Sequence, residues 1–171
     1  MGSAARSVLG GLVIVTTLLC SASAGAQPSA VERTPHLLIV RVKAPFDDVM
    51  TSLQEAIKRR NYVVTGINNM DDILARRSAD IAGPPLPYER YKIVGFCNLT
   101  LADEGVRRNP HVGVFFPCRA LVYKARGTAE TTVVALRPTF LIPALGGAGL
   151  KGVMERAEAD ILGILEEVGA D

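Results

Sequence analysis

Two cysteines in short, distinctive segments are the side chains best suited to chemistry: Cys97 in Gly95-Phe96-Cys97-Asn98 and Cys118 in Phe116-Pro117-Cys118-Arg119. A thiolate is both a nucleophile and a metal ligand, and the Arg119 charge beside Cys118 would favour it. His111, seven residues before Cys118, offers a nitrogen ligand. Met154 or Met50 offers a thioether if the fold brings either close. Two sulfurs with one histidine suit soft or borderline metals, copper or zinc in particular, and a haem-ligand role stays open. The pair equally permits a disulfide, provided the Cα atoms lie roughly 4.4 to 6.8 Å apart. Such a bond would stabilise the fold by roughly 3 to 4 kcal/mol through loop closure. A persulfide or redox function, or two buried core cysteines, completes the alternatives. Asn98 and Arg119 flank the sulfurs and belong to the same candidate binding or redox site.

No other constellation specifies a reaction. Glu104 has no paired acid or histidine, and His36 stands alone at the border of a strand. Gly146-Gly147-Ala148-Gly149 lacks the strand-and-helix setting of a phosphate loop. With no HExxH motif and no spacing that identifies a triad, the residues favour a binding or structural protein over an enzyme.

The ends bound the setting. Arg6, the apolar run Val8 to Leu19 and the small residues up to Ala26 have the pattern of a secretory signal peptide over residues 1–26. Cleavage near Ala24-Gly25-Ala26 would remove Cys20. It would leave about 145 residues, the size of one ordinary domain, in the periplasm or outside the cell. The apolar run falls short of the about 20 residues a bilayer span needs, so no stable span is expected after processing. Nineteen basic against seventeen acidic side chains give no strong electrostatic steering, and no basic patch is interleaved with aromatics, so nucleic-acid binding has no support.

The elements that must position the cysteines follow from periodicity and breakers. Residues 27–35, polar and twice interrupted by proline, read as a flexible arm. Strands are expected at 36–42, 62–67 and 88–96, within 112–124 (started or interrupted by Pro117), and at 131–136. A helix opening at Asp47 or Asp48 carries Val49, Leu53, Ala56 and Ile57 at helical spacing. Asn68-Asn69 predicts a turn, and 70–80 a short helix with Met70, Ile73 and Leu74 toward the core. Asn98 or Thr100 would cap a helix ending at Asn109-Pro110. Residues 138–149 read as a covering loop, and 150–168 as a terminal helix whose apolar stripe packs on a sheet, or on a second copy in a homodimer. The order predicts one α+β domain over 36–171, a two-layer sandwich with helices on one face of a short, mixed or mainly antiparallel sheet.

The segments Tyr91-Lys92-Ile93-Val94-Gly95-Phe96-Cys97-Asn98 and Phe116 to Tyr123 resemble the DUF302 family of uncharacterised domains, over about Leu37 to Pro138. The resemblance implies a compact α+β domain, sometimes dimeric, and no established chemistry. Leu99 follows Asn98 where many relatives carry proline, which puts the turn geometry there in question. On these grounds the expected function is an exported accessory protein binding a small ligand or soft metal at Cys97/Cys118. A disulfide-stapled interaction domain and a sulfur or redox protein are the alternatives.

Overall fold

The computed structural model describes Met1 and residues 29–81, 83–145 and 147–170. The signal-peptide reading, with Cys20, falls on 1–26, of which all but Met1 lie outside the described residues, as does Gly146.

The elements run β1 (Glu32–Arg33), β2 (Leu37–Val42), α1 (Phe46–Arg59), β3 (Val63–Asn69), α2 (Met70–Arg76), β4 (Tyr88–Cys97), α3 (Leu99–Arg108), β5 (Cys118–Ala125), β6 (Thr131–Leu136) and α4 (Lys151–Ala170). Six strands form one sheet in the order β1-β2-β6-β5-β4-β3, every neighbouring pair antiparallel. The chain crosses from β2 to the far edge through α1, then returns strand by strand. The expected α+β class therefore holds, with an antiparallel sheet.

Strand alternation sends Leu38, Val40, Val42, Val94, Phe96, Ala120, Val122, Val133 and Ala135 into the core. Leu53, Ala56 and Ile57 of α1 meet them there with Ile161, Ile164, Leu165 and Val168 of α4. The terminal stripe is thus spent on the protein's own core. On the other face, Ile39, Val134, Leu121 and Ile93 lie in register across four strands, partly exposed.

Several local expectations change. Asn68 and Asn69 do not turn but pair with Ile93 and Lys92, because the ladder to β4 continues past the point where side-chain chemistry suggests a stop. Helix α2 buries none of its residues and leaves Ile73 exposed, while its Asp71 Oδ2 accepts from the Tyr91 N–H of β4 at 3.1 Å. The arm is tied in from Ser29, whose N–H donates to the Gly169 carbonyl at 2.7 Å, and Glu32 and Arg33 pair with Ile39 and Leu38. Residues 110–115 form a 3-10 helix, so β5 begins only at Cys118, after a proline that cannot join the ladder. Pro138–Leu141, Pro143–Leu145 and Ala148–Leu150 each form a short 3-10 turn rather than open loop.

Candidate functional site

The two cysteines come together because β4 and β5 are antiparallel neighbours joined through α3. Phe96 pairs directly with Cys118, which places Cys97 one residue beyond that pair at the end of β4. The close approach of the strands depends on Gly95: a Cβ there would lie 2.7 Å from Thr65 Oγ1 and 3.3 Å from Pro117 Cγ. Immediately after Cys97, Asn98 takes extended dihedrals and its Oδ1 accepts from the N–H groups of Thr100 and Leu101 at 3.1 and 3.2 Å, capping α3. Leu99 is the first helical residue, a position where proline is favoured but not required, so the missing proline leaves the cap intact.

Both cysteines line a cavity of about 260 Å3 between the sheet end, α3, α4 and the 138–141 turn. Its walls are mostly apolar, among them Leu101, Phe116, Leu141, Val153 and Ile161, with Met154 contributed by α4. Asn98 and Arg119 also border it, so four of the five sequence-predicted site residues converge. The fifth does not: His111 is exposed on the 3-10 helix, where its backbone N–H donates to Asn109 Oδ1 at 2.9 Å, and it is not among the cavity's walls. Among the described residues no group of three or more His, Cys, Asp and Glu side chains is placed to hold a metal ion.

Tyr62 is the polar residue that sequence reading missed. It reads as an ordinary strand residue, yet Asn61 just before it takes a left-handed φ of 60° between α1 and β3. Tyr62 follows that turn into the cavity wall, nearly wholly buried, with its ring edge-on to Phe96 at 5.7 Å. Its hydroxyl donates to Asp160 Oδ2 of α4 at 3.1 Å. Burial first, then the charges of Asp160 and the two cysteines, holds the Tyr62 proton well above the ordinary phenol range.

Cys97 and Cys118 are free thiols, so the disulfide considered from sequence is not formed here. Burial pushes the Cys97 thiol up. Cys118 is pushed up to about 11, by burial first and by the charge of Cys97 second. Arg119 and a backbone hydrogen bond pull the other way and lose. The expectation that Arg119 favours a thiolate is therefore corrected: its side chain stands exposed, and desolvation of the sulfur outweighs its screened charge. The site at neutral pH holds two protonated thiols in apolar surroundings.

The model of the domain of unknown function DUF302 matches residues 38–168. The chain belongs to the DUF302 family. The match runs through α4, some thirty residues past the Pro138 boundary read from sequence. Among solved structures, the crystal structure of an uncharacterized conserved DUF302 protein from Bacillus stearothermophilus is similar with a TM-score of 0.67 and 22% identity, over 77% of this chain and 96% of that one. At that identity the likeness speaks for the fold. No curated protein matches the chain.

Proposed function

We propose that this DUF302 protein is an exported accessory protein that takes up a small ligand or a soft metal ion in the Cys97/Cys118 cavity. The largely apolar cavity, partly open to solvent, carries the reading. An apolar occupant would take those walls out of water, which is favourable in proportion to the area covered. The volume exceeds the about 150 Å3 that suffices for benzene and lies below the about 300 Å3 at which pockets for drug-sized molecules begin. A small ring or short chain suits it; a haem macrocycle is larger.

Export rests on the charged, apolar and small-residue order of the first 26 residues. Intact mass of protein recovered from the periplasm should start near Gln27; a chain retaining Met1 removes that part of the proposal.

The binding reading is tested with indole as an apolar probe, by calorimetry on the wild type and on Ala157→Phe, which fills the cavity from α4. Binding to the wild type and its loss in a still-folded Ala157→Phe are expected. Equal binding by both, or none by the wild type together with no co-purifying molecule in native mass spectrometry, overturns it.

A further inference from the structure

Three sulfurs border the cavity, from three different elements: Cys97 at the end of β4, Cys118 at the start of β5 and Met154 on α4. The chemistry of this set is narrow. Among the described residues no histidine, Asp or Glu lines the cavity, so they supply neither the mixed nitrogen and sulfur ligands of a zinc site nor the oxygen shell of a hard cation. Soft thiolate and thioether donors select monovalent copper, which tolerates two or three ligands and an apolar surround. Resting on the binding reading above, we propose that the cavity is a Cu(I) site in which Cys97 and Cys118 are the thiolate ligands and Met154 the thioether.

The geometry supports this in two ways. Cys97 lies one residue past the Phe96–Cys118 pair at the end of β4, and both cysteines border the same cavity. Met154 is held from the opposite side, 4% exposed, packed among Val112 and Leu150, on an unbranched side chain that can reach into the space. Loading conserves oxidation state: Cu(I) binds two sulfurs, two S–H bonds break, two protons leave to solvent, and a bis-thiolate complex of net charge −1 remains. Arg119 borders the same cavity and is the cation nearest in sequence to that charge.

The test is anaerobic titration with Cu(I) against a chromogenic Cu(I) chelator, in a Cys20→Ser background so that Cys97 and Cys118 are the only thiols. Indole binding is measured on the same samples. Expected is one Cu(I) per chain with only sulfur neighbours by X-ray absorption. Cys97→Ser and Cys118→Ser should each lose more than about 100-fold in affinity, with an unchanged thermal melt of the metal-free protein as proof of an intact fold. Met154→Leu should reduce the sulfur number by one and weaken affinity by about 10-fold. Indole binding without Cu(I) binding overturns the copper assignment and leaves the cavity reading standing; loss of both overturns both. Cu(I) binding unaffected by either serine variant, or nitrogen and oxygen neighbours in the absorption spectrum, also overturns the assignment. An unchanged sulfur number in Met154→Leu removes Met154 from the site.

Discussion

Alkaline pH should loosen this fold through one sulfur. Cys118 has its pKa raised from 9.0 to about 11, a displacement of two pH units caused first by burial and then by the neighbouring Cys97. Each unit corresponds to about 1.4 kcal/mol of preference for the protonated form. The folded protein binds this proton more tightly than the unfolded chain, so the contribution is complete below pH 9 and is lost as pH rises toward 11, about 3 kcal/mol in all. The assay is urea unfolding of metal-free protein under reducing conditions at intervals from pH 7 to 10.5, for the wild type and Cys118→Ala. Cys97 and Tyr62 are displaced in the same direction, so the informative quantity is the difference between the two curves. That difference should be constant up to about pH 8.5, then shrink by up to about 1.4 kcal/mol per unit. Parallel curves across the whole range would refute the burial argument for the Cys118 thiol.

At acid pH the Arg137–Glu158 pair takes over. Burial alone would raise the Glu158 carboxyl, but hydrogen bonds from Arg137 and Thr139 outweigh it and hold it below the ordinary range. Its contribution is therefore present above the usual carboxylate pKa and lost as pH falls through the folded value. Arg137 donates to Glu158 Oε1 at 2.9 and 2.7 Å and to the Thr34 carbonyl at 2.9 Å, fastening the turn that carries Pro138 and Leu141 over the cavity. Glu158→Gln should cost about 2 kcal/mol at pH 7, a difference that closes as pH falls through the lowered folded pKa of the carboxyl in the same unfolding assay. Gly169→Ala should cost about 2 to 3 kcal/mol, because the new Cβ would strike the Ser29 carbonyl and sit 3.0 Å from Val40 Cγ2. Gly163→Ala meets the Arg60 guanidinium, which must loosen its pairing with Glu167 to move aside, and should cost about 1 kcal/mol; thermal melts of the pair decide whether backbone crowding or side-chain crowding sets the ranking. Asn98→Ala removes the acceptor for two N–H groups of α3 and should cost about 1 kcal/mol by the same measurement.

Much of the layer structure was legible because it rests on period. Val49, Leu53, Ala56 and Ile57 recur at helical spacing and form the inner face of α1, and Leu150, Val153, Met154, Ala157, Ile161, Leu165 and Val168 do the same at the C-terminus. What failed was decided by tertiary context. Asn68-Asn69 carries the chemistry of a turn, yet ladder bonds to Ile93 and Lys92 hold it extended. Glu32 and Arg33 have no strand signature and pair only because β2 offers a free edge. The candidate site divides along the same line. Cys97, Cys118, Asn98 and Arg119 were visible as local segments, whereas Tyr62 enters through a left-handed Asn61 and a partner, Asp160, far along the chain. His111 was favoured by its sequence distance from Cys118, but the 3-10 helix turns that short distance into a separate surface position.

The placement of the thiols constrains what the cavity selects. An anionic occupant would need a buried cation, but the one charged side chain on the cavity's walls among the described residues, Arg119, is exposed and is outweighed by burial of the sulfur beside it. A cation with hard-ligand demands would need carboxylates, and Asp160, the partner of the cavity residue Tyr62, already accepts from its hydroxyl. What remains is an occupant that is neutral and apolar, or one whose charge is matched by thiol protons leaving as it arrives. The same burial that keeps Cys118 protonated makes that exchange selective: a metal must bind sulfur strongly enough to displace a proton held to about pH 11. Soft monovalent ions meet that condition, while weaker sulfur binders leave the thiols as they are.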